Sequence, residues 1–201
     1  MLNRKDITFL HATSHIQNRC SQLKKRTKLN IEADKIETKR LLLIPSSEKD
    51  TKFIFELLNS PKWIEYIGDR NIKTLNDAKQ YLIEKIIPQY KKKGFGTFTV
   101  IRKFDNSKIG TCGLYDREDL EGVDLGFAFL PEFERNGYAF ESANKIVNIA
   151  FEKFNLKSIK AITTKNNISS QKLLEKLKFI KNGTTKFDNE EMLQYLKTNK
   201  I

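Results

Sequence analysis

The chain has 201 residues, a formal charge of +12 at pH 7, 39% hydrophobic and 31% charged residues, and two cysteines. That length suits one domain of ordinary size, and fourteen phenylalanines among long Leu/Ile runs supply enough apolar surface to exclude wholesale disorder. Cys20 and Cys112 lack CxxC spacing and a companion histidine cluster, which excludes a disulfide scaffold and a structural zinc site and fits a reducing, cytoplasmic location.

Residues 1–34 read as a basic extension outside the core. They carry Arg4, Lys5, Arg19, Lys24, Lys25, Arg26 and Lys28, and Ile7, Leu10 and Cys20 give only a patchy helical pattern. Three readings stay open: a solvated tail, a basic arm that touches RNA, the ribosome or a partner, and an organelle-targeting segment, against which Asp6 argues. His11 and His15 share helical spacing without a third ligand, so no metal site is expected there.

From residue 35 the texture becomes that of a packed domain. Residues 36–45 (IETKRLLLIP) read as a strand stopped by a proline. Residues 48–58 place Phe53, Ile54, Leu57 and Leu58 at helical spacing before Ser60-Pro61. Residues 74–90 repeat that logic, with Thr74 or Asn76 as cap and a stripe of Ala78, Leu82, Ile83, Ile86 and Ile87 ahead of Pro88. Residues 96–103 (GTFTVIRK), 108–115 and 123–129 form a predicted antiparallel meander, with an acidic hairpin at 116–122. Residues 139–154 carry Ala143, Ile146, Val147, Ala150, Phe151 and Phe154 on one face, the clearest amphipathic helix in the chain.

A β-branched strand at 158–164, a helix at 169–178 with Leu173, Leu174 and Leu177 inward, and short strands at 179–182 and 192–196 complete the order. The expected class is α/β (α+β): a mixed, mostly antiparallel central sheet of about seven strands flanked by helices. No apolar stretch approaches the ~18–20 residues of a membrane span, and residues 1–30 lack the apolar core of a secretory signal. A soluble chain without a membrane partner is expected.

Residues 123–139 (VDLGFAFLPEFERNGYA) run from a strand through a proline-marked exit and a polar loop into the start of the amphipathic helix. A helix start leaves N–H groups without intrahelical partners, its dipole favours an anion, and Gly137 lets a phosphate approach the main chain. One glycine equally suits a plain strand-to-helix turn. The surrounding motifs carry more. Glu134-Arg135-Asn136-Gly137-Tyr138-Ala139, followed by Glu141-Ser142-Ala143, resembles the acetyl-coenzyme A loop of the GNAT acetyltransferases, Q/R-x-x-G-x-G/A. Its "GYA-x-E" run is similar to the branch that acetylates ribosomal-protein N-termini.

Four further segments resemble that branch in the same order. Thr38-Lys39-Arg40-Leu41-Leu42-Leu43 resembles its opening "T-x-R-L-x-L", and Ile109-Gly110-Thr111-Cys112-Gly113-Leu114 its "IG-x-x-G-L". Asp124-Leu125-Gly126-Phe127 is similar to "E-I-G-Y", and residues 167–179 to "N-x-x-S-x-x-x-L-E-K-L-G-F". Three departures stand out. Glu134 replaces the usual Gln or Arg and is expected to turn away from the pyrophosphate, leaving Arg135 as countercharge. Lys178 replaces the glycine of "LGF". Asp124 is one methylene shorter than the family's glutamate.

The resemblance implies a splay between the fourth and fifth strands, with the pantetheine arm of acetyl-coenzyme A between them. Phe127, Phe129 and Leu130 would supply the main-chain edge, and an N–H near Phe127 or Phe129 the oxyanion contact. Arg135, Asn136, Gly137, Tyr138 and Ala139 would hold the pyrophosphate. Lys172 and Lys176 would face the 3′-phosphate, or form a solvated helix face. Asn167 would contact the pantetheine amides, or cap its helix. Asp124 would act as general base through a water, or cap the hairpin or pair with Arg117. Ser170 would hydrogen-bond the departing thiolate, or cap. Trp63, Tyr66 and Ile67 would line the acceptor cleft, or join the core. Asp116, Glu118, Asp119, Glu121 and Asp124 crowd one hairpin, which would draw a cationic amine. No metal is expected, and monomer and homodimer both stay open.

The implied activity is acetyl transfer from acetyl-coenzyme A to a primary amine, first a protein N-terminal α-amine and second a polyamine, aminoglycoside or other small amine. A different class of reading is a catalytically silent, basic RNA- or ribosome-binding protein that works through residues 1–34.

Overall fold

Leu41 and Leu43 are fully buried while Leu42 and Ile44 are half-buried, the period-two alternation of a strand with one covered face. That pattern recurs in a sheet built from β1 (Ile36–Glu37), β2 (Leu41–Pro45), β3 (Thr97–Arg102), β4 (Lys108–Asp116), β5 (Val123–Phe129), β6 (Ser158–Thr163), β7 (Ile180–Phe187) and β8 (Glu190–Thr198). The computed structural model describes residues 35–117, 120–188 and 190–199. The basic extension, with His11, His15 and Cys20, lies outside the described residues, as do Glu118 and Asp119 of the acidic hairpin.

In space the strands are ordered β1-β2-β3-β4-β5-β6-β8-β7. Neighbours are antiparallel except β5 and β6, which are parallel. The sheet is mixed and mostly antiparallel, as expected, with eight strands among the described residues rather than about seven. The extra one arises where residues 36–45 do not stay extended. Thr38 N–H donates to Leu41 C=O (3.0 Å) and Leu41 N–H to Thr38 Oγ1 (3.0 Å), so the segment folds back and Ile36 pairs with Leu43. The two terminal strands are also longer than expected, because β8 enters between β6 and β7 and pairs on both sides.

The glycines of the IG-x-x-G-L segment are explained by packing. A Cβ at Gly113 would lie 2.0 Å from the Gly96 carbonyl oxygen on β3's approach, so no larger residue fits there.

The helices are α1 (Thr51–Leu58), α2 (Pro61–Tyr66), α3 (Leu75–Tyr81), α4 (Ile87–Lys93), α5 (Tyr138–Glu152) and α6 (Ile168–Lys176). Thr74 and Asp77 form a reciprocal capping box at the start of α3. The helix expected over residues 74–90 runs on to Lys93 and passes through Pro88. Leu82–Ile86 widens into a π-turn, with Ile87 N–H bonded to Leu82 C=O, so the missing N–H of Pro88 falls in the first turn of α4, where none is needed. At its other end α6 closes as a Schellman motif. Phe179 N–H reaches Leu174 C=O (2.9 Å), Lys178 N–H reaches Glu175 C=O (2.9 Å), and Lys178 sits at φ 66.

Two cores result. The larger joins Leu41, Val100, Ile109, Leu114, Leu125 and Phe129 to Ala143, Ile146, Val147 and Ala150 of α5. The smaller joins Phe53, Ile54, Leu57 and Leu58 of α1 to Ala78, Leu82 and Leu130. Along β5, Phe127 and Phe129 contact the first core while Ala128 and Leu130 contact the second. Alternation therefore places α5 on one face of the sheet and α1 and α3 on the other. Asp124, an even position, belongs to the α1–α3 face.

Candidate active site

β5 and β6 touch through one bridge, Asp124 with Lys160, and then diverge. The notch between them is the splay expected of the fourth and fifth strands, here β5 and β6. Leu130 N–H donates to Ile109 C=O on β4 (3.0 Å). The two-residue period of the strand then turns the main-chain groups of Phe127 and Phe129 to the opposite, open side. Leu130 is different from its expected role: its amide is taken by Ile109 and its side chain, 5% exposed, belongs to the smaller core. The usable edge is Phe127–Phe129.

The notch widens into a cleft of about 1040 Å³ whose floor is the start of α5. The first intrahelical bond of α5 is Glu141 N–H to Gly137 C=O (3.0 Å), so the N–H groups of Tyr138, Ala139 and Phe140 have no intrahelical acceptor. Arg135 and Gly137 have φ 60 and 78, two left-handed residues that coil the loop below the helix end. The helix dipole adds positive potential at this point.

The loop is held from beneath. Arg40 Nε donates to Glu141 Oε2 (2.6 Å), Arg40 N–H to Glu141 Oε1 (2.8 Å), Thr38 Oγ1 to Glu141 Oε1 (2.6 Å), and Arg40 Nη1 to Asn136 C=O (3.0 Å). The Arg40 guanidinium also lies 4.5 Å from the Tyr138 ring centroid. Burial raises the Glu141 carboxyl, but the hydrogen bonds from Thr38 and Arg40 outweigh it and hold the group below its ordinary pKa. Asn136 faces this support, not the cleft: its carbonyl meets Arg40, its side-chain amide donates to Glu134 C=O (2.9 Å), and it is absent from the lining. Glu134, expected to turn away from the pyrophosphate with Arg135 as countercharge, instead lines the cleft and pairs with Lys62 on α2.

The opposite wall is the start of α6. Asn167 Oδ1 accepts from Ser170 N–H (3.0 Å), so Asn167 caps the helix while lining the cleft. Ser170 and exposed Lys172 line the cleft as well. Lys176 has its ammonium 4.6 Å from the Phe140 ring centroid.

At the far end Asp124 is 1% exposed and accepts from Arg117 Nε (2.8 Å) and Nη2 (3.4 Å). Arg117 is sandwiched, its Cζ 5.0 Å from both the Tyr115 and the Phe187 ring centroids. Burial pushes the Asp124 carboxyl above its ordinary pKa, and Arg117 opposes that shift. Trp63, Tyr66 and Ile67 line this end with Arg117 and Phe187, the first two half-buried and Ile67 exposed. Trp63 Nε1 is buried without an acceptor among the described residues. The acidic hairpin is partly neutralised, because Lys93 pairs with Asp116 (2.6 Å) and Arg117 with Asp124.

The structure thus brings Asp124, Phe127, Phe129, Arg135, Gly137, Tyr138, Ala139, Asn167, Ser170, Lys172, Trp63 and Tyr66 to one cleft. Sequence reasoning missed Lys62 and the supporting role of Arg40 and Glu141. The last two stood inside quoted motifs, but nothing local links them. Cys112 is fully buried beneath the sheet, its thiol pushed up to about 12 by burial, and takes no part. Among the described residues no group of three or more His, Cys, Asp or Glu gathers to hold a metal, and no helix is long and apolar enough to cross a membrane.

Comparison with known proteins agrees with this geometry. The acetyltransferase (GNAT) domain profile matches residues 40–180. The chain is 31% identical over 156 residues to the uncharacterized N-acetyltransferase YjdG of Bacillus subtilis, covering 73% of this chain and 90% of that one. It is 28% identical over 149 residues to YoaA of the same organism, covering 74% and 84%. An acetyltransferase from Agrobacterium tumefaciens superposes with a TM-score of 0.72 at 21% identity, over 82% of this chain and 94% of that one. The ribosomal-protein-S5-alanine acetyltransferase of Vibrio fischeri gives 0.64 at 20%, over 82% and 96%. RimL, a ribosomal L7/L12 α-N-protein acetyltransferase solved with coenzyme A, gives 0.70 at 12%, over 82% and 98%. These structural likenesses are of fold. With the domain profile spanning most of its length, the chain belongs to the GNAT family of N-acetyltransferases.

Proposed function

We propose that the cleft binds acetyl-coenzyme A as cosubstrate and transfers its acetyl group to a protein N-terminal α-amine. The observation that carries this reading is the parting of β5 from β6 beyond Asp124, directly beside the N–H groups at the start of α5 that have no intrahelical acceptor. The donors fit the molecule. A diphosphate suits the Tyr138, Ala139 and Phe140 amides and the left-handed Arg135–Gly137 loop, while a pantetheine amide chain suits the open edge at Phe127 and Phe129. Lys172 supplies charge for the nucleotide's phosphate at the start of α6.

The thioester supplies an activated acetyl carbonyl. An amine nitrogen forms a bond to that carbon, the C–S bond breaks, and the thiolate leaves with the electron pair. The main-chain N–H of Phe127 or Phe129 steadies the oxygen that becomes negative. Asp124, raised by burial, is a stronger base than an ordinary carboxylate and takes the amine proton through a water. Ser170 hydrogen-bonds the leaving sulfur. An α-amine has an ordinary pKa near ~8 against ~10.4 for a lysine side chain, so it asks less of that base. The fold neighbours that act on ribosomal proteins favour the same acceptor class.

A mass-spectrometric acetylation screen over peptide N-termini, polyamines and aminoglycosides tests the acceptor. Mass gain on peptide α-amines is expected; gain confined to polyamines or aminoglycosides would move the assignment to a small-molecule amine.

A further inference from the structure

Glu134 places a carboxylate at the lip of a cleft built for a polyanion, where an uncompensated negative charge would repel the ligand. Its compensation comes from another part of the fold. Lys62, 72 residues earlier on α2, contacts Glu134 Oε2, and both side chains line the cleft with Arg135, Gly137 and Tyr138. Lys62 stays 44% exposed, so its ammonium can change partner without a desolvation barrier.

The helix that carries it is seated through one side chain, Trp63, which packs half-buried against the smaller core. α2 has six residues and buries none of them. It starts at Pro61 and is followed by Gly68 at φ 100, where nothing lies within 4 Å of the missing Cβ. The same helix carries Trp63, whose buried Nε1 has no acceptor among the described residues, and Tyr66, the two residues over the acceptor end.

We infer that Lys62 is a coenzyme-diphosphate ligand held ready by Glu134, so that binding the coenzyme fastens α2 and assembles the acceptor end of the cleft. This rests on the coenzyme reading above. As the diphosphate enters, the Lys62 ammonium passes from the single Glu134 carboxylate to the more highly charged phosphates. Trp63 and Tyr66 move with it.

Calorimetric titration of the full chain with coenzyme A and with 3′-dephospho-coenzyme A tests the inference, alongside amide exchange over residues 61–66. Lys62→Met is expected to weaken both ligands about tenfold. It should also abolish the coenzyme-induced slowing of exchange in α2, with the melting temperature unchanged. Glu134→Gln is expected to tighten binding in both backgrounds: it frees Lys62 for the diphosphate when Lys62 is present, and it removes an uncompensated carboxylate beside Lys62→Met. Wild-type affinity in Lys62→Met overturns the inference and leaves the coenzyme reading intact. A loss seen with coenzyme A and absent with the dephospho form overturns the diphosphate assignment. Wild-type chain that binds neither ligand overturns both readings.

Discussion

Arg40 and Glu141, 101 residues apart in sequence, meet through two charge-assisted hydrogen bonds directly beneath the loop that coils into α5. The two motifs that contain them, T-x-R on the turn before β2 and GYA-x-E on α5, are two halves of one support. Glu141 anchors the first helical turn, and Arg40 ties the Asn136 carbonyl and the Tyr138 ring to the same point. Glu141→Gln is expected to weaken coenzyme binding roughly tenfold, about 1.4 kcal/mol, since the loop loses its fixed shape before it meets a phosphate.

The same pair has a pH signature. The Glu141 carboxyl lies below its ordinary value of 4.5, so its contribution to stability is fully present above pH 4.5 and is lost as pH falls through the depressed value. Thermal unfolding of wild type and Glu141→Gln should differ by a constant amount above that point. The two curves should converge on further acidification.

Asp124 and Arg117 make the opposite case. Asp124 is raised, first by burial, with Arg117 pulling it back down. The acidic limb of kcat/KM, where the base must be ionised, should therefore lie above the ordinary carboxylate range. Arg117→Lys keeps a charge but loses the two-point contact and the stacking between Tyr115 and Phe187, so the limb should move to higher pH. Asp124→Ala should lower kcat/KM by about 10²–10⁴ and remove the limb. An unchanged profile in Asp124→Ala would reassign the base.

Gly137→Ala is expected to cost about 1 kcal/mol of stability, because alanine is strained at φ 78. Coenzyme affinity measured by calorimetry should fall with it, since the strained residue is the one that starts α5 below the cleft.

Lys178 sits at φ 66 in the position where a Schellman motif favours glycine. Lys178→Gly should raise stability by roughly 0.5–1 kcal/mol in denaturant unfolding, with no change in turnover. The sequence departure at this site is thus a small backbone strain far from the chemistry.

Local regularities were readable from the sequence. The 3.6-residue stripe of α5, the strand segments that became β2 and β6 and the Thr74 cap all depend on neighbours within a few residues, and each appears in the structure. The turn at Thr38–Leu41 was not readable, because an aliphatic run hides a hairpin made by one threonine hydroxyl. Nor was the π-turn that carries the helix through Pro88. Asp124, Gly137, Asn167 and Ser170 could be nominated from motifs on single segments. Lys62 could not, since its meaning depends on a carboxylate 72 residues away and on a helix whose position no local pattern encodes. Leu130 was misjudged by one residue of strand: its amide already belongs to Ile109.

The central claim is that the edge of β5 is open and waits for the pantetheine arm, and residue-resolved amide exchange with and without coenzyme A tests it most directly. Fast exchange is expected at Phe127 and Phe129 in the free protein, with marked slowing there, and at Tyr138, Ala139 and Phe140, when coenzyme A saturates the chain. Amides of Phe127 and Phe129 already protected without ligand, or unchanged at saturation, would contradict it.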